Sequence, residues 1–179
     1  VHEPDTLSET IANAYRVAKS GKRGASFVSI PQDVTDSLVS VKAIKPLTDP
    51  QLGSASVGDI NYLAQAIRNA DLPVLLLGNG ASTRAVTKSI RKLLDAVKLP
   101  VVETFQGAGI VSRELEEDTF FGRVGLFRNQ PGDMLLKKAD LVIAIGYDPI
   151  EYEARNWNAE ISARIIVIDV AQAEIDTYF

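Results

Sequence analysis

Four apolar runs constrain this chain more than any other feature: PVLLLG (73–78), LPVVET (99–104), DLVIAIG (140–146) and RIIVIDV (164–170). None alternates between apolar and polar residues, so a strand built from any of them has both faces covered, the condition of a parallel sheet layered between helices. The segments between them carry helical spacing. Val57, Ile60, Leu63, Ala64 and Ile67 recur behind a Ser56–Asp59 capping box, and Val86, Ile90, Leu93, Leu94 and Val97 recur between about Thr83 and Lys98. Pro131 opens a short helix through Lys138, and FFGRVGLF (120–127) is a further strand candidate weakened by its two glycines. Strands joined through helices pair in parallel by right-handed crossovers. The expectation is an α/β fold: a doubly wound, mainly parallel open sheet of about five or six strands, with its ligand crevice at their carboxyl ends.

The N-terminal third reads differently. Residues 6–19 place Leu7, Ile11, Ala14 and Ala18 on one helical face, with Thr6 and Glu9 spaced as a capping box, and ASFVSI (25–30) is strand-like. From Asp36 to Ser56 periodicity disappears and prolines, serines and threonines collect. We therefore divide the chain into residues 1–36, a linker over 37–56, and a main domain over 57–179.

Composition excludes several classes of chemistry. The 179 residues contain no cysteine, so disulfides, thiolate metal sites and thiol nucleophiles are out, and a reducing cytoplasm suits the chain. The single histidine, His2, sits at a terminus, which leaves no basis for a histidine triad or metal cluster. A net charge of −4 supplies no excess positive field, so no nucleic-acid partner is expected. No apolar run approaches the roughly 20 residues that span a bilayer, and no signal-peptide pattern opens the chain, so no membrane partner is expected either.

Candidate ligand residues gather at the expected strand ends. Gly78-Asn79-Gly80-Ala81-Ser82-Thr83 could let backbone amides approach an anion, yet Thr83 stands where a dinucleotide fingerprint needs its third glycine. A nucleotide-binding turn and a plain strand-to-helix turn are both open at this point. Glu103, about 20 residues on, could bind a ribose or be a solvated carboxylate; it is followed by Thr104 and by Gln106 to Gly109, which includes Gly107. Gly146, Tyr147 and Asp148 close one run and Asp169 another, where each acid could accept sugar hydroxyls or cap a turn. Arg84, Lys88, Arg91 and Lys92 form a basic helix face, Trp157 reads as a packing anchor, and Glu151 and Glu153 read as a surface pair. Nowhere do a nucleophile, a base and an electrophile converge, so no catalytic or metal-binding residue is assigned.

Taken in order, GASFVSIPQDV, LLLGNGAS, VVETFQGAGIV, FFGRVGLFRNQPGD, ADLVIAIGYDPIEYEARNWN and IIVIDV resemble the Rossmann-like central domain of thiamine-diphosphate-dependent enzymes, and within them the catabolic acetolactate synthases. The resemblance implies that the chain is a piece of a longer enzyme and that residues 1–36 are the tail of a pyrimidine-binding domain. It implies a homo-oligomer that condenses two pyruvates to 2-acetolactate and releases carbon dioxide. Thiamine diphosphate and Mg2+ would be bound by residues outside this chain. Flavin-dependent relatives hold FAD at positions matching Gly78, Asn79, Gly80, Thr104, Gly107, Gly125, Gly146, Asp148 and Asp169. Their arginine and paired aspartates after the fourth strand are replaced here by Tyr147 to Glu151, with Tyr147 and Pro149 expected to fill the groove. The resemblance thus implies a vestigial nucleotide site, with FAD not expected and the domain acting as a scaffold. The alternative is a working FAD or NAD module.

Overall fold

The computed structural model describes residues 1–45, 48, 52–174 and 176–179, in two compact units, Val1–Gly53 and Ser54–Phe179. Part of the expected linker, residues 46, 47 and 49–51, lies outside the described residues.

In the first unit Pro4 sets a 3-10 turn, Pro4–Thr6, that runs straight into α1 (Leu7–Lys19). Thr6 is therefore already helical, its hydroxyl turns back to donate to the Glu3 carbonyl at 2.8 Å, and the expected capping box with Glu9 does not form. A short α2 (Gln32–Thr35) buries Val34. Side-chain bonds tie the rest: Ser26 donates to the Ala14 carbonyl at 2.9 Å, and the Asp5 carboxylate accepts the Ser40 N–H at 2.8 Å and its hydroxyl at 2.5 Å. The bonds from Ser40 hold the Asp5 carboxyl below its ordinary range. Residues 25–30 do not form the strand their composition predicts. A strand needs a neighbour to bond, and every strand of the described chain lies between Pro73 and Ile168.

The second unit begins with α3 (Val57–Asn69), capped as expected: the Asp59 N–H donates to the Ser56 hydroxyl at 3.1 Å and the Ser56 N–H to the Asp59 carboxylate at 3.2 Å. Then come β1 (Pro73–Leu77), α4 (Arg84–Ala96), β2 (Val101–Thr104), α5 (Arg113–Thr119), β3 (Phe120–Val124), α6 (Pro131–Lys138), β4 (Leu141–Ile145) and β5 (Arg164–Ile168). The sheet has five strands in the order β3-β2-β1-β4-β5, and every neighbouring pair is parallel. This is the doubly wound α/β arrangement expected from the apolar runs. Of its helices only α5 was not anticipated. Its RELEEDT sequence has almost no apolar stripe, but Glu114 and Glu116 favour the first turn of a helix, and Leu115 and Thr119 are buried. The glycine-weakened β3 pairs with β2 through a register shift between Val101 and Glu103, opposite Gly122 at φ +99°.

Alternate strand residues feed two cores. On one face Leu75, Leu77, Val101 and Ile143 pack against Ala66 of α3, Ile90 and Leu94 of α4, and Leu115 of α5. On the other, Val74, Leu76, Val102 and Val142 pack against Leu136 of α6 and against Tyr147, Tyr152 and Trp157. Since all strands point the same way, Gly78, Thr104, Gly146 and Asp169 share the carboxyl edge. The strand order reverses between β1 and β4, which puts the topological switch point between Gly78 and Gly146.

Candidate functional site

At the switch point the two loops meet backbone to backbone. A Cβ on Gly78 would lie 2.4 Å from the Tyr147 Cα, and one on Gly146 would lie 2.3 Å from the Ala81 nitrogen. Gly146 also sits at φ +57°, where a side chain is strained. The Gly78 N–H donates to the Ile145 carbonyl at 3.0 Å and the Gly80 N–H to the Gly146 carbonyl at 2.8 Å. Gly107 closes the third side, for its Cβ would meet the Leu77 carbonyl oxygen at 2.7 Å. These glycines therefore permit loop-to-loop contact, and the amides of Gly78 and Gly80 are committed to the end of β4.

One amide of the turn points elsewhere. The Asn79 N–H donates to the Glu151 carboxylate, at 3.1 Å to Oε1 and 3.0 Å to Oε2. The Asp148 N–H reaches Glu151 Oε1 at 3.2 Å, and the Thr104 hydroxyl donates to Oε2 at 2.6 Å. That hydroxyl accepts the Gly107 N–H at 3.0 Å, so its proton is directed at the carboxylate. Glu151 thus accepts from the loops that follow β1 and β4 and from the last residue of β2. Sequence reasoning placed it on the surface beside Glu153; besides Asp148, its partners lie 72 and 47 residues away and leave no local pattern.

The segment carrying Glu151 is anchored from below. Tyr147 does not fill the groove as expected. Its ring is buried on the opposite side, edge-on to Trp157 at 6.2 Å and tilted against Phe179 at 5.3 Å, and its hydroxyl donates to the Tyr152 carbonyl. The Tyr152 hydroxyl donates to Asp133 Oδ1 at 2.7 Å, and Asp133 in turn caps α6 by accepting the Gln130 N–H at 2.8 Å. Burial pushes both phenols above their ordinary range, and for Tyr152 the bond to Asp133 adds to it. Trp157 is a packing anchor, as its isolation in the sequence implied.

The other candidates divide. Gly125, at φ +110°, lies against this segment, since a Cβ there would sit 3.2 Å from the Glu151 carbonyl oxygen. The Asp148 carboxylate accepts the Ile150 N–H at 3.1 Å. Asp169 is exposed and accepts the Val170 N–H at 2.6 Å, so its carboxylate caps its own turn. Glu103 is neither solvated nor turned outward to meet a ribose. It is 1% exposed, accepts the Val111 N–H at 2.6 Å and the Gly109 N–H at 3.1 Å, and lies 3.6 Å from Arg123. On the basic face of α4, Arg91 is bound to the Ile110 and Gly109 carbonyls at 2.7 and 2.9 Å.

Residues 60–179 match the family described as the thiamine pyrophosphate enzyme central domain. The chain belongs to that family. Similar curated proteins include an acetolactate synthase of Bacillus subtilis, 46% identical over 98% of this chain and 31% of the relative, and a catabolic acetolactate synthase of Raoultella terrigena, 40% identical over 94% and 30%. The chain therefore spans about a third of the relatives it matches. Among solved structures, a thiamin diphosphate-dependent enzyme described from Mycobacterium smegmatis superposes with a TM-score of 0.58 over 96% of this chain and 31% of that one; at 15% identity it shows the fold.

As a thiamine pyrophosphate enzyme central domain, the second unit has its sheet edge built for contact among loops. Among the described residues no three His, Cys, Asp or Glu side chains are grouped to hold a metal ion. Among those residues, too, no helix is long and apolar enough to cross a membrane.

Proposed function

We propose that this chain is the central part of an acetolactate synthase of the catabolic, flavin-free kind, an enzyme that joins two pyruvates into 2-acetolactate and releases carbon dioxide. The similarity to two synthases over nearly the whole chain supports the reaction. Thiamine diphosphate with Mg2+ supplies the carbon nucleophile of such a condensation when bound. In this reading residues 1–36 end a preceding domain, 37–56 form the linker, and 57–179 are a scaffold in a cytoplasmic homo-oligomer. Apolar side chains exposed on the second unit, Val57 at 75%, Phe127 at 64% and Ile150 at 87%, suit a domain that packs against other domains and copies.

The observation that carries the scaffold role is the Glu151 carboxylate held against the glycine turn by Asn79, Asp148 and Thr104. A dinucleotide diphosphate brought to this turn would set negative charge on a carboxylate that already has its donors, and desolvating like charges together is costly. The nucleotide-site positions Gly78, Asn79, Gly80, Thr104, Gly107, Gly125, Gly146, Asp148 and Asp169 are accordingly read as vestigial.

The test uses the full-length enzyme, supplied with thiamine diphosphate and Mg2+. Acetolactate formed from pyruvate by protein without flavin absorbance supports the reading. Failure to form acetolactate overturns the reaction, and a stoichiometric, retained flavin overturns the closed site.

A further inference from the structure

We infer that the loops after β1 and β4 and the last residue of β2 form an oxyanion-binding nest whose resident anion is the chain's own Glu151 carboxylate, so that the site is masked and still competent. The inference deepens the vestigial-site reading and rests on it. Three donors converge, two from loops and one from the end of β2: the Asn79 N–H, the Asp148 N–H and the Thr104 hydroxyl. Asn79 and Thr104 are held independently of Glu151, whereas Asp148 shares its turn. The turn bearing Asn79 is held by the Gly78 and Gly80 bonds to Ile145 and Gly146 and by the Ser82 hydroxyl, which donates to the Asn79 carbonyl at 2.7 Å. Thr104 is fully buried and oriented by the Gly107 N–H. Removing the carboxylate would leave these donors in place and lacking an acceptor, which favours any small oxyanion that can reach them.

A groove of about 320 Å³ opens beside Glu151, lined by Gly125, Phe127, Arg128, Ile150 and Arg155 among others. Arg128 lines it together with Arg155, which is paired with Glu153 at 2.6 Å. Carboxylate and phosphate share the chemistry the nest reads, two or more oxygens carrying negative charge, and the test separates them by charge and size.

In the full-length protein, Glu151→Ala and Glu151→Gln are compared with wild type by thermal melting and calorimetry. The probes are sodium acetate, inorganic phosphate and inorganic pyrophosphate, balanced with sodium chloride to constant ionic strength. Both variants should melt below wild type and be raised selectively by the oxyanions, with pyrophosphate bound on the order of tenfold tighter by the variants than by wild type. Adding Thr104→Val to Glu151→Ala should abolish the response. If both variants fold and neither gains affinity for any probe while wild type stays inert, the masked nest is overturned and the vestigial-site reading stands. Wild type binding pyrophosphate as tightly as the variants overturns both. If Glu151→Ala does not fold without added anion, the same comparison is read from Glu151→Gln.

Discussion

The pair β1 and β4 is fastened by a carboxylate at each end, and the two fastenings differ. At the amino edge Asp140, just before β4, accepts the Asp71 and Leu72 N–H groups at 2.8 Å each, just before β1. At the carboxyl edge Glu151, just after β4, accepts the Asn79 N–H just after β1. Asp140 is exposed, whereas Glu151 is half-buried, receives a buried hydroxyl, and lies above four glycines that let three loops touch. A carboxylate bridging two amides is thus common architecture. The converging hydroxyl and the adjoining groove are what make the carboxyl edge a candidate site.

The comparison can be broken most severely at Gly146. Gly146→Ala puts a Cβ 2.3 Å from the Ala81 nitrogen at a φ of +57°, and should cost about 3 kcal/mol or more in urea unfolding because backbone on both sides must move. A loss under about 1 kcal/mol would mean the loops are not locked. Glu103→Ala comes next. It strips the acceptor from the Val111 and Gly109 N–H groups and leaves Arg123 without its carboxylate, an expected loss of about 2–4 kcal/mol by the same measurement.

Glu151→Ala should cost about 1–3 kcal/mol, and unlike Glu103→Ala should be partly reversed by phosphate, since only Glu151 borders the groove. Asp140→Asn should have the smallest effect at neutral pH and no response to phosphate at all. Its signature is in acid. The Asp71 N–H chiefly, with that of Leu72, holds the Asp140 carboxyl below its ordinary value of 3.8. The folded chain therefore binds this proton more weakly than the unfolded chain. The stabilisation is complete above the ordinary value and fades as pH falls through the lower folded one. Melting curves from neutral pH down into that window should show a shallower acid limb for Asp140→Asn than for wild type; parallel limbs would remove Asp140 as a fastening.

Most of the architecture was legible before the structure. Runs such as PVLLL and LVIAI are apolar on both faces, and only a sheet covered on both sides satisfies them. The Ser56–Asp59 box formed because nothing upstream competes for the helix start, whereas Pro4 moved the start ahead of Thr6 and abolished the equivalent box with Glu9. The run 25–30 has strand composition yet no strand, because pairing belongs to two segments and the residues of one cannot supply it.

The candidate site was legible only in part. Gly78, Thr104 and Gly146 were placed correctly at one edge, because polarity and glycine at strand ends are local signals. Glu103 and Glu151 were not placed, because each is defined by what it accepts through the folded chain: from the loop after its own strand, 6 and 8 residues on, for Glu103, and from residues 47 and 72 away for Glu151. By itself the sequence determined the strands between Pro73 and Ile168, the direction of the sheet and the edge where loops gather, since these follow from local periodicity and apolar content. Only the tertiary structure decided that the glycines admit neighbouring backbone and that Glu151 is the anion at the turn, because short-range contact between distant segments sets which donor meets which acceptor.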